Sequence, residues 1–166
     1  MYFRSKNQDG FTLIELIVII VLLAIIAAVA IPRLGDVASM KAAATSEKIK
    51  SDIRYAQELA MTQNRSYRVY FNTSPAPSPD GYAVVNNADG DANWGEAGEF
   101  APDPTGKGNL SVILNSGDYG GVTVSTPAGG YIEFNSLGKP TGGATTITAS
   151  PGGYTITVSA ETGAVN

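Results

Sequence analysis

Two groups of residues in this chain are of types that do chemistry. The first is a lone carboxylate, Glu15, in an apolar run: every side chain of residues 16–31 is apolar, and only Thr12 and Glu15 interrupt the run back to Phe11. A charge near the centre of a bilayer costs about 2.5–3.5 kcal/mol on insertion scales, and acids placed there normally have a partner. The second group is Asp89-x-Asp91-x-Asn93, with Glu96 close behind. Side-chain oxygens alternating along a loop are what Ca²⁺ prefers. Trp94, however, stands where an EF-hand needs glycine, and no glutamate closes the loop at the required distance. An acidic, solvated turn is the preferred reading of Asp89, Asp91, Asn93 and Glu96, and a calcium site is the alternative.

Enzymatic chemistry has little to work with. The chain has no Cys and no His, which removes Ser–His and Cys–His nucleophiles and the common zinc sites. Gly106-Lys107-Gly108 lacks the first glycine of a P-loop, and no dinucleotide fingerprint occurs. No two acids are marked out by context as a glycosidase pair. Neither catalysis nor a firm cofactor is expected. A net charge of −4 also argues against nucleic acid as a partner, because phosphate binding needs a basic stripe.

The elements that must position these residues follow from hydropathy. A bilayer core asks for about 20 apolar residues in a helix, and residues 11–32 supply that. The apolar region of a secretory signal is shorter and rarely holds an acid. Arg4 and Lys6 precede the run, which keeps that end cytoplasmic and sends the remainder to the periplasmic side. Pro32 removes a backbone hydrogen bond and clashes with the previous turn, so a bend is expected there, softened by Gly35. Beyond it, Ala38, Ala42, Ser46, Ile49, Ile53, Ala56 and Ala60 step by three or four and draw a narrow apolar stripe on a helix. Lys41, Glu47, Lys48, Lys50, Asp52, Arg54 and Glu58 fall mostly off it. The upper half of the stripe is expected to pack on a sheet. The lower half, from Ala38 to Ser46, reads as exposed in the monomer. One long bent helix over about residues 11–64 results.

From Ser66 the period becomes two. Tyr67, Val69 and Phe71 share one face of a strand, and Arg68 and Tyr70 take the other. Residues 82–85, 110–115, 122–125, 131–134, 145–150 and 154–160 are further strand candidates, with Tyr154, Ile156, Val158 and Ala160 inward in the last. Ser-Gly-Asp (116–118), Pro-Ala-Gly-Gly (127–130) and Pro-Gly-Gly (151–153) are turn signals. Two antiparallel sheets or one strongly twisted sheet would fit. Residues 73–81 read as a Pro-rich surface loop. Residues 86–109 form a long insertion without an assigned structure, in which Trp94 and Phe100 are expected to tuck onto their own domain rather than serve as interface anchors.

The residues GFTLIELI resemble the processing motif of type IV pilin-like proteins, the subunits of pili and of the type II secretion pseudopilus. The resemblance implies cleavage between Gly10 and Phe11 by a prepilin peptidase, methylation of the new Phe11 amine, and Glu15 as the fifth residue of the mature chain. The short polar leader MYFRSKNQDG fits, and Pro32 matches the family's helix-interrupting proline. Losing Arg4, Lys6 and Asp9 with the leader takes the side-chain charge from −4 to −5. In a filament, Glu15 is then expected to pair with the Phe11 amine of a neighbouring subunit, which would offset its burial. The alternative is an acid favoured by the dipole of its helix N-terminus and reaching for the lipid headgroups. The order AQELAMTQN, RSYRVYF, YIEFNSLGKP and YTITVSAETGAVN is similar to the FimT/GspH type of minor pilin or pseudopilin, in which a Phe-x-x-x-Gly segment precedes the last hairpin. DNA-binding FimT proteins carry a basic tail motif, whereas this tail is ETGAVN, so nucleic-acid binding is not carried over.

The expected fold is therefore α+β: a long bent N-terminal helix, half transmembrane and half amphipathic, packed on a C-terminal antiparallel β-sheet head. Its divisions are a leader (1–10), a membrane and filament-core half-helix (11–32), an amphipathic half-helix (33–64) and a β-rich head (65–166). The resemblance implies a structural filament subunit in the bacterial inner membrane, its head in the periplasm and later in a filament. Its partners would be other pilin or pseudopilin subunits, the prepilin peptidase and the inner-membrane assembly platform. A major pilin, a tip module for adhesion or DNA uptake, and a plain single-span membrane protein are the alternatives.

Overall fold

The computed structural model describes the backbone of residues 11–166 and the side chains of 11–28 and 37–166. Two compact units divide after Val37. Helix α1 is Leu13–Gln63. Thr12 caps its start: the Thr12 carbonyl accepts from Leu16 N–H at 3.2 Å and its hydroxyl from Glu15 N–H at 3.3 Å, which satisfies donors that a helix N-terminus leaves open. Every side chain of residues 11–28 is exposed. Among the described residues no helix is long and apolar enough to cross a membrane; the described side chains of the apolar run stop at residue 28. Pro32 and the bend expected there lie outside the described side chains.

The second unit, Ala38–Asn166, combines the rest of α1 with seven strands: β1 (Tyr67–Phe71), β2 (Gly81–Asn86), β3 (Ser111–Ile113), β4 (Thr123–Val124), β5 (Tyr131–Phe134), β6 (Thr145–Ser150) and β7 (Tyr154–Val158). All pairings are antiparallel, and of the two arrangements left open by the sequence, two sheets form: one ordered β3-β2-β1-β5, the other β4-β6-β7. The architecture is α+β, as expected. Ile49, Ile53, Ala56 and Ala60 from α1 join Tyr67, Val69 and Phe71 of β1, Tyr82 and Val84 of β2, and Ile147, Ile156 and Val158 of the second sheet in a single core. Each buried Ile or Val in it contributes about 1.5–3 kcal/mol.

Four expectations need correction. The lower half of the helix stripe is not exposed: Ala42, Thr45 and Ser46 are buried. The β6–β7 hairpin reaches the helix there, where the Ser39 and Tyr154 hydroxyls share a 3.0 Å hydrogen bond. Thr45 and Ser46 tolerate burial because their hydroxyls donate to the carbonyls of Lys41 and Ala43, both at 2.7 Å. Asp52, placed off the stripe, is also buried. The strands over 110–115 and 122–125 are shorter than expected: Leu110, Leu114 and Val122 lie outside them and are buried as flanking residues.

The loop at 73–81 lies at the surface apart from buried Ala76 and Gly81, whereas the 86–109 insertion, left without assigned structure by the sequence, packs on the head. Strand β2 is buried along its whole length: Tyr82 and Val84 face the main core, while Ala83 and Val85 lie in a smaller cluster with Tyr70 and Ala76. Trp94, Phe100 and Tyr131 close that cluster. Phe100 bridges Val85, Ala101 N–H donates to Val84 O at 2.9 Å, and Leu110 N–H donates to Ala101 O at 2.8 Å. The insertion thus extends the sheet edge and covers its outer face, and the expected tuck of Trp94 and Phe100 holds.

Candidate functional site

Assembly chemistry was expected at the start of α1. Glu15 sits in the first turn of the helix, exposed, three residues after the capping Thr12. That position is favourable for a carboxylate on dipole grounds alone, typically by about 0.3–1 kcal/mol. Phe11 is likewise exposed. Gly10, the other residue of the expected cleavage pair, lies outside the described residues.

Within the head, the titratable side chains that come together are ones the sequence did not single out. Asp52 Oδ2 accepts from Lys48 Nζ at 2.7 Å and from the Tyr82 hydroxyl at 2.5 Å. Lys48 stands one helical turn before Asp52 and Tyr82 rises from β2, so this clamp ties helix to sheet. Burial pushes the Tyr82 hydroxyl well above its ordinary range, and the Asp52 carboxylate beside it adds to the shift. The only signal in the sequence is that Asp52 directly precedes Ile53, at the edge of the stripe, a place where a carboxylate reads as solvated.

A second cluster occupies the outer face of the first sheet. The Arg68 guanidinium is sandwiched between the rings of Trp94, 3.9 Å to the centroid, and Tyr131, at 4.1 Å. Its Nε donates to Glu133 at 2.8 Å and its Nη1 to the Tyr70 hydroxyl at 3.0 Å. The Glu99 carboxylate, itself buried, accepts from the backbone N–H groups of Ala88, Gly95 and Glu96 at 3.0, 2.8 and 3.1 Å. Gly95 has a φ of +83° and lies so close to the Pro75 ring that any β-carbon would collide with it.

The acidic loop does not form a cation cage. Asp89 Oδ1 accepts from Asp91 N–H at 3.2 Å, and Asp91 accepts from the Asn93 backbone N–H and side-chain amide at 2.6 and 3.0 Å. These carboxylates cap their own turn, and among the described residues no three acidic side chains converge. Ca²⁺ needs about six to eight oxygens around one point, so Asp89, Asp91, Asn93 and Glu96 as arranged do not fit it.

The C-terminal residues are held in place. Thr157 and Asn166 exchange two 3.0 Å backbone hydrogen bonds, Val165 is buried against the core, and Arg54 Nη2 donates to Val165 O at 2.6 Å. Gln57 Nε2 donates to Gly138 O at 2.7 Å and to Thr162 O at 3.0 Å, joining this segment to the Phe134-x-x-x-Gly138 turn.

A family profile described as type II transport protein GspH matches residues 45–163, most of the head just described. The chain belongs to that family. A second profile, the prokaryotic N-terminal methylation motif, matches residues 5–31 and so contains Gly10, Phe11 and Glu15. This GspH-family chain is similar in structure to the minor pseudopilin EpsH from the type 2 secretion system of Vibrio cholerae. The TM-score is 0.51 at 14% identity, covering 76% of this chain and 94% of that one. The type IV minor pilin FimU of Pseudomonas aeruginosa is similar at a TM-score of 0.47 and 12% identity, over 74% of this chain and 84% of that one. No curated protein matches the chain in sequence. A methylation motif joined to a GspH head makes it a structural subunit of a pilus or pseudopilus filament.

Proposed function

We propose that the chain is an inner-membrane prepilin, cut between Gly10 and Phe11, methylated at Phe11 and assembled as a minor subunit of the FimT/GspH type. The observation that carries this reading is the order of the two profile matches: the methylation motif over residues 5–31 leads into the GspH head. The apolar half-helix, residues 11–32, is solvated by lipid before assembly and by other half-helices afterwards. Glu15 is satisfied there by the amine of a neighbouring Phe11. Prepilin peptidase and the assembly platform act on this segment, and the protein works by packing rather than by catalysis. Two observations weigh against a nucleic-acid tip module. The residues ETGAVN include no basic side chain, and among them Val165 is buried in the core while Asn166 exchanges backbone hydrogen bonds with Thr157 of β7. Intact mass spectrometry tests the proposal: chain recovered with an active prepilin peptidase lacks its first ten residues and carries one added methyl. Equal masses with and without the peptidase would reject it.

A further inference from the structure

Three of the outer strand edges in the head are covered. Thr141 N–H donates to Glu133 O of β5 at 3.0 Å, Thr157 of β7 exchanges two bonds with Asn166, and Val124 O of β4 accepts from Asn72 Nδ2 at 2.8 Å. Strand β3 has no such cover. On either side of the Tyr82–Val112 pair, Leu114 N–H donates to Asp80 O at 2.8 Å and Val84 N–H to Leu110 O at 3.0 Å. The bonds between β2 and β3 therefore fall on Val112, and Ser111 and Ile113 turn their backbone groups outward. Ser111 N–H is used locally, on Asn109 O at 2.9 Å. Among the described residues, Ser111 C=O and both backbone groups of Ile113 have no partner. Sheet edges are normally guarded by charge or proline, and LSVILN, residues 110–115, contains neither. Ile113 is 58% exposed and stands opposite Gly81, which has no side chain to cover it. Beside this edge a groove of about 330 Å³ is lined by Lys48 of α1, Tyr119, and Asp103, Thr105, Lys107 and Asn109 of the insertion. Lys48 is paired with Asp52 at 2.7 Å. Lys107 is offset by Asp103, whose carboxylate accepts from Thr105 N–H at 2.7 Å. The groove therefore offers hydroxyl and amide groups but no net charge.

We propose that the β3 edge receives an uncharged, extended segment of a partner protein, added antiparallel as a further strand, with small hydroxyl side chains over the groove and a β-branched apolar one beside Ile113. The outward backbone groups are complementary to an extended chain. A partner residue opposite Ile113 gives its N–H to Ile113 C=O and accepts Ile113 N–H on its own carbonyl. The partner residue opposite Ser111 donates to Ser111 C=O. Side chains alternate between faces, so the partner residue opposite Ile113 lies beside that bare side chain. Its neighbour, opposite Val112, turns to the face on which Val112 packs against the main core, where Thr105 and Asn109 line the groove. A charged side chain there would lose hydration without gaining an unmatched counterion. This contact is independent of how the chain is processed and assembled.

The test adds the peptide acetyl-Thr-Val-Thr-Val-Thr-amide to the isotope-labelled full chain in detergent and follows its amide resonances. Saturable binding is expected with a Kd below about 1 mM, the Ile113 amide moving downfield and exchanging more slowly with solvent. The same peptide N-methylated at both valines keeps its side chains but cannot donate to β3, and is expected to bind at least about tenfold more weakly. Ile113→Pro removes an outward N–H at an edge position where proline is tolerated, and is expected to abolish binding while far-UV circular dichroism stays as in the parent chain. The N-methyl comparison needs no altered protein, so it decides the matter even if that variant does not fold. Glutamate or lysine in place of the central threonine is expected to bring no gain. Four results would each overturn the proposal: no response at Ile113 up to about 5 mM peptide, equal binding of the N-methylated peptide, an affinity gain of about tenfold from either charged peptide, or self-association of the chain through β3 that shuts the peptide out.

Discussion

Asp52 shows what one residue does when its surroundings are dry. Its carboxylate holds two donors, Lys48 and Tyr82, across the helix–sheet seam. Truncation would leave a buried hydroxyl without its acceptor and a lysine without its counterion. Asp52→Ala is expected to cost about 3 kcal/mol, against about 1 kcal/mol for Lys48→Ala, because the lysine is partly solvated. Denaturant titration of the full chain in detergent reads the difference, and equal effects would refute the clamp. The Tyr82 hydroxyl adds a pH dependence. Its folded-state pKa is raised, by burial first and by Asp52 second, so the folded state holds this proton more tightly than the unfolded chain does. The resulting stability is fully present below the ordinary tyrosine pKa of about 10 and is lost as pH rises beyond it. Tyr67, raised by burial, adds to the same limb. The denaturation midpoint is expected to fall as pH is taken from about 9 to about 11, across that ordinary value, and by less in Tyr82→Phe.

At the scale of elements, the 86–109 insertion is the instructive case. It keeps its shape through the Glu99 carboxylate, the Val85–Phe100 bridge and the Arg68 sandwich, not through regular structure of its own. A desolvated cation–π contact is worth up to about 2 kcal/mol. Because Trp94 is the sole tryptophan, its fluorescence reports this loop alone. Arg68→Met is expected to shift the emission to longer wavelength while far-UV circular dichroism stays as in the parent chain. An unchanged emission maximum would mean that the loop is held without the sandwich. Helix α1 teaches the complementary point. Its upper stripe was legible because Ile49 and Ile53 are large and regularly spaced, whereas Ala42 and Ser46 are small and gave no sign that a distant hairpin covers them.

At the scale of the molecule, the chain unites a membership and a motif: a GspH head and an N-terminal methylation segment. Assembly is where the two must cooperate, and Glu15 is the residue on which that prediction falls. Glu15→Leu subunits are expected to be processed normally yet to enter filaments poorly. Recovery in sheared filaments at the parental level would show that pairing with a neighbouring amine is not required.

The sequence alone determined the division of labour along the chain. An apolar run with one acid, then a helical period, then a period of two, are local patterns, and local patterns survive without knowledge of neighbours. The α+β class and the inward faces of β1 and β7 followed from them. Only the tertiary structure decided which polar groups are buried together. Asp52 meets Tyr82 across 30 residues, Arg68 meets Trp94 and Glu133 from two directions, and Arg54 reaches Val165 from the far end of the chain. Such contacts depend on sheet order and loop path, which no periodicity encodes. In the same way Asp89 and Asp91, read in sequence as a solvated turn with a cation site as the alternative, bond to the backbone of their own turn, because a short carboxylate side chain reaches the N–H two residues on.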